Sequence, residues 1–138
     1  KMKNKIVTNI EPRYVESDQM GVIHHSNYLI YMEQGRVDWL NALGFSYAKM
    51  EQEGVILPVY RIDIKYKRPI KFGQQIKVVT SLKGLPTSRV VFDYQILDEN
   101  DQICATCDLT LVFTDASTFR PMKPIPSFYD ACVKLLQQ

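Results

Sequence analysis

Asn27-Tyr28-Leu29-Ile30-Tyr31-Met32-Glu33-Gln34-Gly35-Arg36-Val37-Asp38-Trp39-Leu40-Asn41-Ala42-Leu43 is the stretch that decides the fold. Tyr28, Met32, Gly35, Trp39 and Leu43 recur at helical spacing, with further apolar residues between them. Asn27 can cap the start and Gly44 can stop the end. The first half, residues 28–32, is apolar on every side, which suits a helix enclosed by other structure rather than one lying on a surface. The helix is therefore expected at the centre of the molecule.

Downstream the period changes to two. Tyr60, Ile62, Ile64 and Tyr66 alternate with Arg61, Asp63, Lys65 and Lys67, as in a strand with one buried and one wet face. The pattern returns in Ile76, Val78, Thr80 and Leu82, again in Val90, Phe92, Tyr94 and Ile96, and again from Ile103 through Ala105, Cys107, Leu109 and Leu111 to Phe113. Phe72-Gly73, Lys83-Gly84-Leu85-Pro86 and Asp98-Glu99-Asn100-Asp101 separate the runs, and short connections of this kind join antiparallel neighbours. Residues 55–114 are expected to form an antiparallel meander. Residues 4–15 supply one more strand, with Pro12 marking an edge or a bulge. Short helices are expected over 46–53 and from about 127 to 136. The order is α+β: one long central helix wrapped by a curved antiparallel sheet of about five strands.

A chain of 138 residues with no repeat and no low-complexity run has room for one domain, taken as 1–138. With 46% hydrophobic and 23% charged residues and a net charge of +2, it is neither disordered nor strongly charged. No window approaches the roughly 18 apolar residues of a membrane span, and the start KMKNK leads into no apolar signal core, so no membrane partner and a cytoplasmic location are expected. Lys1 precedes Met2, the expected natural start. Charge is uneven, with Arg61, Lys65, Lys67, Arg68 and Lys71 set against Asp63 alone. That stretch is either a receptor for an anionic partner or a solvated edge strand carrying Lys against edge pairing. A nucleic-acid partner is not expected from one basic stretch without an RNA-binding aromatic signature.

Several chemistries are absent by inspection. No two glycines fall two apart, which removes dinucleotide and phosphate loops, and no serine has glycines two positions to either side, which removes the nucleophile elbow. Cys104-Ala105-Thr106-Cys107 spells C-x-x-C, but it sits in a strand pattern where residues three apart face opposite ways, so neither a disulfide nor a shared metal is expected. Cys107 falls in the buried register as a small core residue. The densest polar cluster is residues 16–28, just before the long helix, and it holds both histidines. A carboxylate on such a loop, opposite the free N–H groups of a buried helix start, can attack a carbonyl or align water against it. Equally, Asp18 can be a turn residue and the histidines ordinary loop residues. Asp18, His24 and His25 also invite a metal, yet adjacent histidines rarely face one ion and no further histidine supports the set; no metal is expected.

The run Asp18-x-x-Gly21-Val22-Ile23-His24-His25-x-Asn27-Tyr28, followed by Tyr31-Met32-Glu33-x-x-Arg36, closely resembles the acyl-CoA thioesterases of the 4-hydroxybenzoyl-CoA thioesterase family. Tyr66-Lys67-Arg68-Pro69-Ile70-Lys71-Phe72-Gly73 resembles that family's third strand and the turn after it. The resemblance implies the hotdog fold and hydrolysis of an acyl-CoA thioester without a cofactor. It puts Asp18 on the catalytic carboxylate and His25 where a backbone N–H, and in some relatives the side chain, polarises the thioester carbonyl. It implies substrate contacts at Gly21, His24, Asn27, Tyr28, Lys67 and Arg68, with Gly21 and Asn27 shaping the loop and the basic residues offered to coenzyme A phosphates. It also implies homodimers or homotetramers with sites at the dimer interface. Glu33 and Arg36, one turn apart, are expected to pair in support of the loop. Alternatives are an acyl-carrier-protein thioesterase and a noncatalytic acyl-CoA binder.

Overall fold

The structure, a computed structural model, describes residues 2–138. Lys1, read above as lying ahead of the natural start, falls outside the described residues. Strand β1 (Ile6–Ile10) leads through a 3-10 turn (Tyr14–Glu16) and a loop to helix α1 (Asn27–Leu43). Helix α2 (Tyr47–Gln52), strands β2 (Val55–Ile56), β3 (Val59–Tyr66), β4 (Ile76–Leu82), β5 (Arg89–Leu97), β6 (Ile103–Val112) and β7 (Thr114–Asp115), and helix α3 (Pro126–Leu136) follow. The main sheet is antiparallel, in the order β1-β4-β5-β6-β3, and β2 pairs with β7 in a separate ribbon.

Helix α1 has the bounds that periodicity predicts, and Gly44 ends it in a left-handed conformation. Its residues Tyr28, Tyr31, Met32, Gly35, Arg36, Trp39 and Leu40 are all buried. Fully burying an apolar side chain contributes about 1.5–3 kcal/mol, which outweighs the ~1 kcal/mol cost of a glycine inside a helix. Gly35 sits where α1 meets β4: a Cβ there would lie 2.5 Å from Thr80 Oγ1 and 3.0 Å from Val78 Cγ1. Glycine is what lets the helix lie so close to the sheet. Trp39 then packs edge-on to Phe92 of β5, ring centroids 5.0 Å apart, while its indole N–H donates to the Asn4 carbonyl at 2.7 Å. At the far end Phe128 of α3 meets Phe45 and Phe113.

The expected meander is half right. Strands β4, β5 and β6 are consecutive neighbours, but β3 pairs with β6 and lies at the edge opposite β1. The β3–β4 connection is therefore no hairpin; it crosses the end of the sheet past the start of α1. Turn residues report that the chain reverses, not which strand it pairs with next. The period-two face of β3 is likewise uncovered: among its residues only Ile64 is partly buried, while Val59, Tyr60, Ile62 and Tyr66 are exposed.

Cys104 and Cys107 are both buried and, with Cys132, free. The register slips at the β5–β6 pairing where Leu97 meets Ile103 and Ile96 meets Ala105, leaving Cys104 unpaired in the ladder. That slip explains how two cysteines three apart are both enclosed. Among the described residues, no group of three or more histidine, cysteine or acidic side chains is placed to hold a metal ion. No helix among them is long and apolar enough to cross a membrane.

Candidate active site

The bulge at Cys104 also shapes the site. Its carbonyl accepts the N–H groups of both Lys67 (2.8 Å) and Arg68 (3.1 Å), which turns the chain at the end of β3. Ile70 then enters the core with no exposure, and its carbonyl accepts the Ile23 N–H at 2.7 Å. Val22 bridges Lys71, and the Phe72 N–H donates to the Gly21 carbonyl at 2.8 Å. The β3–β4 connection thus holds the loop ahead of α1 against the sheet.

Within that loop, Asp18 organises its own surroundings. Its Oδ1 accepts the N–H groups of Met20 (2.8 Å) and Val22 (3.1 Å), its N–H donates to the Val22 carbonyl, and its carbonyl accepts from Gly21. Gly21 has a φ of +76°, in the left-handed region that side chains disfavour. Among the described residues, Oδ2 of Asp18 receives no hydrogen bond. The polar turn role and a free carboxylate oxygen therefore coexist in one side chain.

Approaching α1, the Ile23 N–H donates to Ile70, His24 to the Glu16 carbonyl, Ser26 to Nδ1 of His24, Asn27 to the His24 carbonyl and Tyr28 to the His25 carbonyl. Among the described residues, the His25 N–H is the one in this run without a partner. Because an N–H can only donate, Nδ1 of His24 is an acceptor and receives the Ser26 hydroxyl as well, at 2.8 Å. The imidazoles of His24 and His25 stack at 4.3 Å, and His25 stands edge-on to Tyr66 at 5.9 Å.

Asp18, His24, His25, Tyr28, Lys67 and Arg68 line one open pocket of about 390 Å³, together with Val22, Ile23, Tyr66 and Pro69. Six residues singled out in the sequence thus come from two separate stretches, 18–28 and 67–68, to one cavity. Gly21 and Asn27 do not line it. Asn27 does not cap α1 through its side chain either: Ser26 is the capping residue, without a side-chain bond, and Asn27 Nδ2 donates to the carbonyls of Glu16 (3.2 Å) and His24 (3.3 Å). Both residues build the loop rather than the cavity wall. Tyr66, which packs on Tyr28 at 5.2 Å, is a wall residue that the sequence showed only as one beat of the β3 alternation. Tyr28 is buried and its phenol is pushed up by desolvation.

Glu33 and Arg36 lie 3.9 Å apart, but Arg36 does not brace the loop. Its guanidinium is buried and donates to the phenol oxygens of Tyr47 (2.6 Å) and Tyr94 (3.0 Å), tying α1 to α2 and β5. Bracing falls instead to Glu16, whose buried carboxylate the sequence showed only as a member of the polar cluster. Oε1 accepts the Tyr31 hydroxyl and the Arg13 N–H, each at 2.8 Å, and Oε2 faces the Arg13 guanidinium at 3.2 Å.

A helix enclosed by one antiparallel sheet, with an open carboxylate at its N-terminal mouth, is the hotdog arrangement that the family resemblance implied. The family model described as "Thioesterase-like superfamily" matches residues 13–133, and the chain belongs to that superfamily. It is a thioester hydrolase of the hotdog fold. The protein YneP of Bacillus subtilis, whose name assigns acyl-CoA thioesterase activity provisionally, is 35% identical over 128 residues, covering 91% of this chain and 93% of its own. A solved DHNA-CoA thioesterase from Staphylococcus aureus superposes with a TM-score of 0.91 at 35% identity, covering 96% of this chain and 91% of that one. A mutant 4-hydroxybenzoyl CoA thioesterase complexed with 4-hydroxybenzoyl CoA shares the fold, with a TM-score of 0.84 at 12% identity, covering 94% of this chain and 99% of that one.

Proposed function

We propose that the protein hydrolyses an acyl-CoA thioester to the free acid and coenzyme A, using Asp18 and the backbone N–H of His25 and no metal or organic cofactor. The observation that carries this is the pairing, on one pocket, of a carboxylate oxygen and a loop N–H that both lack partners among the described residues. The His25 N–H, at the positive end of α1, supports the oxygen that becomes negative as the carbonyl is attacked. Oδ2 of Asp18 attacks the carbonyl carbon directly or aligns the water that does. The C–S bond breaks as the thiolate leaves, and one water is consumed in either route. Lys67 and Arg68 at the rim suit the phosphates of coenzyme A, and the rings of His24, Tyr28 and Tyr66 form an aromatic wall suited to a planar acyl group.

The working unit in this reading is a homodimer, or a homotetramer built from such dimers. Support comes from β3, an edge strand whose Val59, Tyr60, Ile62 and Tyr66 are exposed and whose last residue reaches the pocket. Three cysteines kept as free thiols suit a reducing, cytoplasmic setting.

Thiol release from a panel of aliphatic and aromatic acyl-CoAs tests the assignment. Turnover on at least one substrate, lost in Asp18→Asn, supports it; equal rates for wild type and Asp18→Asn on every active substrate refute the mechanism. Binding of the panel without turnover points to a noncatalytic acyl-CoA binder. Activity on carrier-protein-linked acyl groups alone replaces coenzyme A with an acidic protein partner meeting Lys65, Lys67 or Lys71.

A further inference from the structure

A buried carboxylate two residues ahead of Asp18 calls for a physical reason. The Glu16 side chain is 6% exposed, and an apolar side chain of similar size would fill the space without removing a charge from water. Its ionic partner does little to offset that cost, because the Arg13 side chain is 72% exposed and such pairs contribute little. Desolvation pushes the Glu16 carboxyl up, yet the Arg13 N–H, the Tyr31 hydroxyl and the Arg13 guanidinium together outweigh it and hold the group below its ordinary 4.5. The side chain is thus charged across the neutral range and held by directed bonds rather than by packing.

Its backbone shows what those bonds serve. The Glu16 carbonyl accepts the His24 N–H at 2.8 Å and the Asn27 amide at 3.2 Å. The loop that carries Asp18 leaves from Glu16 and returns, at His24, to the same residue. Between these points it closes on itself through the Ser17–Ile23 bridge and the Asp18 N–H bond to Val22. Asp18 and His25 therefore share one root, and Tyr31, one turn into α1, fastens that root to the helix.

We propose that Glu16 is a positioning residue for the thioesterase site: clamped to α1 by Tyr31, it sets where the Asp18 carboxylate stands relative to the His25 N–H. This rests on the catalytic reading of Asp18 given above. Glu16→Gln keeps the shape but turns one oxygen into an amide group, which cannot accept from Arg13 or, if rotated, from Tyr31. A displacement of about 1 Å at a reacting group can cost about 100-fold in rate, so kcat is expected to fall between roughly 10-fold and 100-fold. KM is expected to stay within about twofold, since the groups that hold coenzyme A are elsewhere. Tyr31→Phe removes one hydroxyl and is expected to produce a smaller loss of kcat with the same unchanged KM.

A double-mutant cycle with Asp18→Asn, followed by thiol release from the best acyl-CoA substrate, decides the matter. If Glu16 works through Asp18, Glu16→Gln leaves the residual rate of the Asp18→Asn enzyme unchanged, whereas a general loss of folded protein lowers both backgrounds by one factor. Equal factors, or wild-type kcat in both Glu16→Gln and Tyr31→Phe, overturn the positioning role while the loss in Asp18→Asn keeps the catalytic reading standing. Wild-type turnover in Asp18→Asn overturns the catalytic reading itself. Should Glu16→Gln fail to fold, Tyr31→Phe carries the same cycle.

Discussion

Gly35→Ala is a small change with an outcome that the structure makes specific. On helix propensity alone, alanine inside a helix gains about 1 kcal/mol over glycine. Against this stands a Cβ placed 2.5 Å from Thr80 Oγ1 and 3.0 Å from Val78 Cγ1, on a strand whose Thr80 and Val78 are wholly buried. Both neighbours are β-branched with stiff χ1, so neither swings away easily and α1 must move off the sheet instead. Overpacking of this kind costs about 1–3 kcal/mol, and with rigid neighbours the upper half of that range applies. The net expectation is a destabilisation of roughly 1–2 kcal/mol, or a fall in Tm of about 3–8 °C for a chain of this length. Thermal and urea unfolding at fixed protein concentration measure it. Thr80→Ala in the same chain removes the closest atom, a hydroxyl with no hydrogen-bond partner among the described residues, and is expected to restore at least ~1 kcal/mol of the loss. A Gly35→Ala protein as stable as wild type, or a double mutant showing no coupling, would mean that the close approach of α1 to β4 carries no constraint.

Glu16 makes a signed contribution to acid stability. Its folded carboxyl lies below the ordinary 4.5, so its stabilisation is complete above that value and is lost as pH falls through the lower folded one. Wild type should lose stability over that acid window more steeply than Glu16→Gln, as read by urea midpoints at stepped pH; parallel curves refute this. Asp93 shows the opposite sign. It stands in register with Asp108, which in turn faces Asp63, and desolvation with the Asp108 charge pushes its carboxyl above the ordinary 3.8. Asp93→Asn should raise Tm at neutral pH, with the gain fading as pH falls through the raised folded value toward the ordinary 3.8; no gain at neutral pH counts against the repulsion. His25→Ala keeps the backbone N–H but removes a ring that lines the pocket between His24 and Tyr66, so it is expected to reduce kcat proportionally more than Tm, the exposed ring supporting no core contact; equal losses count against a role for the ring. On the exposed edge of β3, Ile62→Asp is expected to shift light-scattering mass toward the monomer and to lower turnover with it; unchanged mass removes β3 as the contact.

Much of this molecule is legible in its sequence because local patterns report local facts. The bounds of α1, the strand runs and the stop at Gly44 follow from periodicity and glycine punctuation, which depend on neighbours a few residues away. The polar loop is equally visible, since Asp18, Gly21 and the two histidines are set out in order ahead of an apolar helix. Pairing is different: β3 joins β6 instead of β4, because the turn between two runs reports that the chain reverses and not which strand it then meets. A turn signal could not reveal that the 67–75 connection would cross the end of the sheet and bring Lys67 and Arg68 to the loop. Tyr66 becomes a pocket wall for the same reason. Gly35 and Glu16 were ordinary letters in the chain; only packing shows that one sits where a Cβ would collide with Thr80 and that the other gathers both ends of the loop that bears Asp18. Sequence by itself determined the elements and the residues able to do the chemistry. Tertiary structure decided which of them meet, because contacts between distant segments depend on burial and hydrogen-bond satisfaction across the whole fold.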